Sequence, residues 1–229
     1  MSTINLEKGQ RITLERRTGE LLSKFCIGVN WGAIEYEAKE GGLWGIGRKT
    51  VLKKKMTDID LSCVMYDEEG NLTDHIYSPL YRPELMAQFG LNSGKLVSRT
   101  GAIRHMGDDK EGDMEGDDDL DNEVLMVDLD EMDDKTSKIF IFLNIVDSDD
   151  FSMIPYIRIR VYEGTPNNAE TVFAEYTIQS EPTFRGKKSL ILGELYKKGT
   201  KWRMNPIGEA FEDVFLGQTI QRISQKFAK

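Results

Sequence analysis

From Glu123 onward the chain is a series of short apolar or alternating segments, with no amphipathic stretch between them long enough to cross back as a helix. EVLMVDLDEM at 123–132 opens the series. KIFIFLNIV at 138–146 is denser in β-branched and aromatic residues than a helix favours. YIRIRVYE at 156–163 alternates, with Ile157, Ile159 and Val161 toward one face and Arg158 and Arg160 toward the other. VFAEYTI at 172–178 repeats the pattern, and SLILGELY at 189–196 and KWRMNPIG at 201–208 follow it. A parallel sheet would need crossover helices. The spacing therefore predicts an all-β fold, an antiparallel β-sandwich.

The first half reads the same way with more interruptions. TINLEKGQRITLER at 3–16 predicts a hairpin or two short strands around Lys8-Gly9-Gln10, LLSKFCIGVNW at 21–31 a strand, and IDLSCVMY at 59–66 another, closed by a turn at 67–71. The stretch 72–105 mixes loops with short elements, and LVSRTGAIRH at 96–105 adds a strand. Residues 36–55 hold four glycines and six basic residues without helical or strand period, which predicts a long basic loop inserted between strands. In GEAFEDVFLGQTIQRISQKF at 208–227, Phe211, Val214, Phe215, Ile220 and Ile223 recur at helical intervals, predicting a C-terminal amphipathic helix. A length of 229 residues suits one domain spanning 1–229.

Residues 107–123, GDDKEGDMEGDDDLDNE, carry ten carboxylates and one Lys, a local excess of negative charge equal to the net charge of −9 of the entire chain. Like charges so crowded repel unless a cation joins them. Ca²⁺ takes six to eight oxygens, and loops that supply them combine carboxylates with carbonyls that glycine makes accessible. Gly107, Gly112 and Gly116 allow that, while Asp108, Asp109, Asp113, Asp117, Asp118, Asp119, Asp121 and Glu123 offer more oxygens than one ion uses, so two ions are expected. Asp58 and Asp60, two apart at a strand entrance, would reach a cation from one face. An EF-hand is excluded, because the sixth position is Asp113 or Asp118 where that loop needs Gly. Softer metals are disfavoured: the only histidines are His75 and His105, and Cys26 and Cys63 sit in apolar stretches as buried reduced thiols.

The same features exclude other classes. The acidic balance argues against nucleic acid as a partner. No apolar run reaches the roughly 20 residues of a membrane-spanning helix, and the polar start MSTINLEKGQ lacks the apolar stretch of a signal peptide, which points to the cytoplasm. No GxSxG, GxGxxG or GxxxxGK[ST] occurs, so an enzyme is not expected.

Six ordered motifs identify a resemblance: INLEKG at 4–9, GVNW at 28–31, DIDLS at 58–62, the acidic window at 107–123, GELY at 193–196, and Trp202 followed by IGE at 207–209. Together they resemble the TerD-domain proteins of the tellurium-resistance and stress-response group, nearly end to end. That resemblance implies a β-sandwich in which two acidic elements meet at one end and bind Ca²⁺, with Asp58, Asp60, Asp108, Asp109, Asp119, Asp121 and Glu123 as ligands. The chain departs from the pattern at Gly32, where many members have Asp, and in the 36–55 insertion. The expected function is a calcium-binding module that recognises a protein or ligand in a stress-response complex. Calcium-dependent docking on a membrane surface is the alternative, and a metal-assisted hydrolase a more distant one.

Overall fold

A computed structural model of the chain describes residues 3–16, 18–41, 49–55, 57–107 and 119–229. Its elements are β1 (Ile4–Asn5), β2 (Ile12–Thr13), β3 (Lys24–Trp31), β4 (Ile34–Glu40), β5 (Lys49–Lys55), β6 (Ile59–Tyr66) and β7 (Leu72–Ile76), then the short helix α1 (Pro83–Ala87). They continue with β8 (Ile103–His105), β9 (Glu123–Asp128), β10 (Lys138–Ile145), β11 (Tyr156–Thr165), β12 (Asn168–Gln179), β13 (Ser189–Lys198), β14 (Lys201–Phe211) and α2 (Leu216–Lys226).

Two six-stranded sheets form the sandwich, ordered β1-β12-β11-β3-β9-β8 and β2-β14-β13-β10-β6-β7. Every neighbouring pair is antiparallel except β1 with β12. Alternate residues of the two inner faces make the main core, among them Ile27, Val29 and Trp31 of β3, Leu61 and Cys63 of β6, Ile141 and Leu143 of β10, and Ile157 and Ile159 of β11. The outer face of the second sheet is also covered. Val64, Tyr66, Phe140, Phe142 and Ile191 on that face pack under Leu216, Ile220 and Ile223 of α2. This second layer explains why β10 is apolar from Ile139 to Leu143: both of its faces are buried.

Two expectations are corrected. Residues 36–55 are not simply a loop. β4 and β5 pair in register as a two-stranded ribbon, with Glu35 opposite Lys54 and Glu40 opposite Lys49, while 42–48 lie outside the described residues. Most of the ribbon is exposed, so opposite charges across the strands replace the apolar alternation that a half-buried strand shows. The C-terminal helix begins only at Leu216. Phe211 instead ends β14 opposite Ser189, and the Gln218 side chain accepts the N–H groups of Val214 and Phe215 (2.9 and 3.1 Å) to start the helix after them. Of the two alternatives for 3–16, the two short strands hold: β1 and β2 join different sheets, so the N-terminal segment laces one edge of the sandwich together.

Candidate metal centre

β7 pairs with β6 only as far in as Cys63–Ile76 and then departs through Ser78 and Pro79. This leaves the outward N–H of Leu61 without a β7 partner. Glu123, the first residue of β9, reaches across from the opposite sheet and accepts that N–H at 2.6 Å through Oε2. Its side chain is 1% exposed. The same oxygen lies 3.4 Å from His105 Nε2, and Gly107 N–H donates to His105 Nδ1 (3.3 Å), so Nε2 is the nitrogen that carries the proton toward the carboxylate.

Asp60 approaches the same edge from the other side. Strand alternation places it with Ser62 and Val64 on the outer face of β6, and Asp58 precedes it on that face. The Tyr81 hydroxyl hydrogen-bonds Asp60. Burial, followed by the charge of Asp60 and then of Asp58 and Glu123, holds that phenol well above its ordinary value. Asp60, Leu61, His105 and Glu123 line a cavity of about 170 Å³ whose remaining wall includes Leu80 and Leu96. Asp60 and Glu123 therefore line one cavity at this edge of the sandwich, with Asp58 close enough to act on the same Tyr81 hydroxyl and the start of the acidic segment at Gly107 bonded to His105.

The returning end of that segment is clamped by β3 and β11. Asn30 Nδ2 donates to the Leu120 carbonyl (2.8 Å), the Trp31 N–H to Asn122 Oδ1 (2.8 Å), and Arg160 Nη2 to the Asp119 carbonyl (2.9 Å). Asp119 itself is exposed and adopts φ = 64°, a left-handed conformation that Asp tolerates better than most residues. Asp121 turns onto the outer face of the first sheet, where its carboxylate lies over Gly28 and pairs with Arg160 Nε at 3.0 Å. Burial pushes the Asp121 pKa up, and Arg160 partly offsets it. GVNW is thus legible as a clamp: Gly28 leaves room for Asp121, Asn30 holds Leu120, and Trp31 holds Asn122.

Of the ten candidate ligands, then, Asp60 and Glu123 share one cavity with Asp58 nearby, Asp119 stands exposed at the segment's end, and Asp121 faces Arg160 on the other side of the first sheet. Asp108, Asp109, Asp113, Asp117 and Asp118 lie outside the described residues. Among the described residues no group of three or more His, Cys, Asp or Glu side chains is placed to hold a metal ion. The donors that do converge are hard carboxylate oxygens, which suit Ca²⁺ or Mg²⁺ and not a thiophilic ion. Both thiols are elsewhere: Cys63 in the inter-sheet core and Cys26 in a small outer layer with Val124 and Tyr162. Sequence reasoning missed Tyr81 and the pairing of Arg160 with Asp121. No local signal marks Tyr81, and Arg160 was legible only as an outward-facing cation.

Among the described residues no helix is long and apolar enough to cross a membrane. The family model of the TerD domain matches residues 1–222. The stress response protein SCP2 of Bacillus subtilis is 33% identical over 227 residues, covering 96% of this chain and 98% of the relative. The tellurium resistance protein TerX of Serratia marcescens is 27% identical over 214 residues, covering 92% and 94%. Among solved structures, a homologue of the telluride resistance protein TerD from Streptomyces coelicolor superposes with a TM-score of 0.54 at 12% identity, over 91% of this chain and 98% of that one.

Proposed function

This chain belongs to the TerD-domain family, and from that premise we propose that it is a calcium-binding module that acts by recognising a protein or ligand, not by catalysis. The reading rests on one observation: Asp60 from one sheet and Glu123 from the other line one cavity at the open edge of β6, with Asp58 in electrostatic reach of the same Tyr81 hydroxyl and the acidic segment leaving from Gly107 nearby. Buried carboxylates this close are costly when all are ionised. A divalent cation held by Asp58, Asp60 and Glu123, with further oxygens from 108–119, would offset that cost and tie the two sheets together. It would also reverse the sign of the local field, so that docking of a partner would depend on the metal.

Calorimetry of chelator-stripped protein with CaCl₂, repeated with MgCl₂, tests the proposal. Calcium binding with weak magnesium binding is expected, and Asp60→Asn or Glu123→Gln should weaken it. Calcium at 100 times its dissociation constant should stabilise the fold by about 2.7 kcal/mol, a rise of roughly 5–10 °C in melting temperature for a chain of this size. Absence of binding heat together with an unchanged melt refutes the proposal.

A second reading has its own support. Leu80 and Leu96 rim the cavity, and Met106 and Leu120 flank the acidic segment, all four exposed. Apolar side chains beside a calcium site suit docking on an anionic membrane through shared lipid phosphates. Calcium-dependent sedimentation with phosphatidylserine vesicles, lost in Leu80→Asp, would favour it. Equal sedimentation with and without calcium would remove it.

A further inference from the structure

The side of the sandwich laced by the N-terminal segment is only partly closed. β1 adds to β12 at Ala174 and Glu175, and the last bond of that contact runs from Leu6 N–H to the Glu175 carbonyl. The chain then crosses to the second sheet, where Gly9 N–H donates to the Pro206 carbonyl. Beyond the crossing, β12 continues to Gln179 with no strand on its outer side. Glu175 directs its carbonyl outward, so Thr177 and Gln179, two and four residues on in an unbroken register with Arg158 and Tyr156, direct their N–H and C=O groups outward as well. Among the described residues nothing bonds those backbone groups. Beside them a cleft of about 550 Å³ opens, its lining mixed: Tyr176, Ile178 and Phe184 together with Lys8, Glu181 and Glu209.

We propose that this edge of β12 accepts an extended segment of a partner protein as an additional strand. The chain demonstrates the geometry itself, because β1 already lies along the preceding residues of the same edge. An incoming strand would continue that track, bonding Thr177 and Gln179 through its backbone and placing alternate side chains in the cleft against Tyr176, Ile178 and Phe184. The cleft selects a segment with an apolar residue at every second position, against Tyr176 and the edges of Ile178 and Phe184, and polar groups that meet Lys8, Glu181 and Glu209. Natural sheets guard exposed edges with Lys, Pro or bulges. Here Thr177 and Gln179 carry none of these, and no register shift occurs between Tyr156 and Val161 opposite them.

Thr177→Pro tests the assignment, because it removes an N–H that faces away from β11 and so costs no existing ladder bond. A phage-displayed library of linear twelve-residue peptides, panned on the wild-type chain and counter-selected on Thr177→Pro, should enrich sequences with alternating apolar residues. A synthetic peptide from the enriched set should bind at least tenfold more weakly to Thr177→Pro and to Gln179→Pro. If Thr177→Pro fails to fold by circular dichroism, Thr177→Lys replaces it in the counter-selection. Absence of enrichment, or equal binding to wild type and variants, overturns the proposal. So does a wild-type dimer in analytical ultracentrifugation that Thr177→Pro converts to monomer, since a second copy would then occupy the edge.

Discussion

Gly28 is the position where one added methyl should do the most damage. It lies in β3 between β11 and β9, opposite Arg160 on one side and Val124 on the other, so its backbone has little freedom to move. A Cβ there would sit 1.8 Å from Asp121 Oδ2, 2.2 Å from its Cγ and 2.9 Å from its Cβ. Rotating the carboxylate relieves the first two contacts but not the third, so in Gly28→Ala the 119–122 turn has to lift. Lifting it removes Asp121 from Arg160, whose side chain is 9% exposed, and also withdraws the Asp119 carbonyl from the same guanidinium. Overpacking costs about 1–3 kcal/mol, and breaking a buried ion pair by displacing one partner costs up to about 3–5 kcal/mol. Partial relaxation leaves an expected loss of roughly 3–5 kcal/mol, or a melting temperature lower by about 10–15 °C. The assay is a double-mutant cycle by chemical denaturation with Gly28→Ala, Asp121→Gly, which removes the carboxylate and the Cβ together, and both substitutions combined. Once the carboxylate is gone, Gly28→Ala should cost less than about 1 kcal/mol, giving a coupling of at least about 2 kcal/mol. Additive costs would refute the idea that Gly28 exists to seat Asp121. Calcium titration of Gly28→Ala should also show weaker binding, although residue 28 supplies no ligand, because the lifted turn carries Glu123 with it.

Stability should fall with acidification in two windows. Asp74 accepts from Arg99 N–H (2.7 Å), His75 N–H (2.9 Å) and Lys95 Nζ (2.5 Å), and although burial opposes them, these partners hold its pKa below the ordinary 3.8. The unfolded chain therefore takes up this proton first, and the stabilisation present above about pH 4 disappears as pH falls through the lowered native value. His75 is buried, stacked on Tyr77, and bonds the Ser93 carbonyl through Nε2; burial lowers its pKa from 6.5. Unfolding then takes up a proton as pH falls below 6.5, which destabilises the fold in the same direction. Urea denaturation across pH 7 to 3 should show both steps, with Asp74→Asn flattening the lower one; a stability that rises on acidification contradicts the assignment. Ile220→Ala, in the face of α2 that covers the second sheet and 3% exposed, should cost about 2–5 kcal/mol by cavity formation, whereas a cost below about 1 kcal/mol would mean that the helix is not a structural layer.

What the sequence reveals depends on which faces are buried. β11 is legible because only one face meets the main core, so Ile157, Ile159 and Val161 alternate with arginines. β10 is legible for the opposite reason, since the first sheet and α2 enclose it and no polar period interrupts the run from Ile139 to Leu143. The β4–β5 ribbon is illegible because most of it packs on nothing: its pairing rests on backbone bonds and charge pairs that leave no apolar period. Phe211, Val214 and Phe215 mislead by coincidence of spacing. Phe211 ends a strand, and Val214 and Phe215 are exposed at the helix entrance.

The acidic window shows the same limit in its chemistry. Composition presents ten carboxylates as one pool of charge, yet the fold sorts those it describes into separate environments. Glu123 spends one oxygen on the Leu61 N–H at the open edge of β6, Asp119 faces solvent, and Asp121 is neutralised within the protein by Arg160. An i, i+2 argument from Glu123 would place Asp121 beside it, but the strand begins only at 123 and the clamped turn before it rotates Asp121 to the opposite face. Counting acidic residues in the sequence does not show that this one is paired with Arg160. Asp121→Asn should lower stability and leave the number of calcium ions bound unchanged, whereas Glu123→Gln should weaken calcium binding directly. Loss of a bound ion in Asp121→Asn with an unchanged melting temperature would reverse that division.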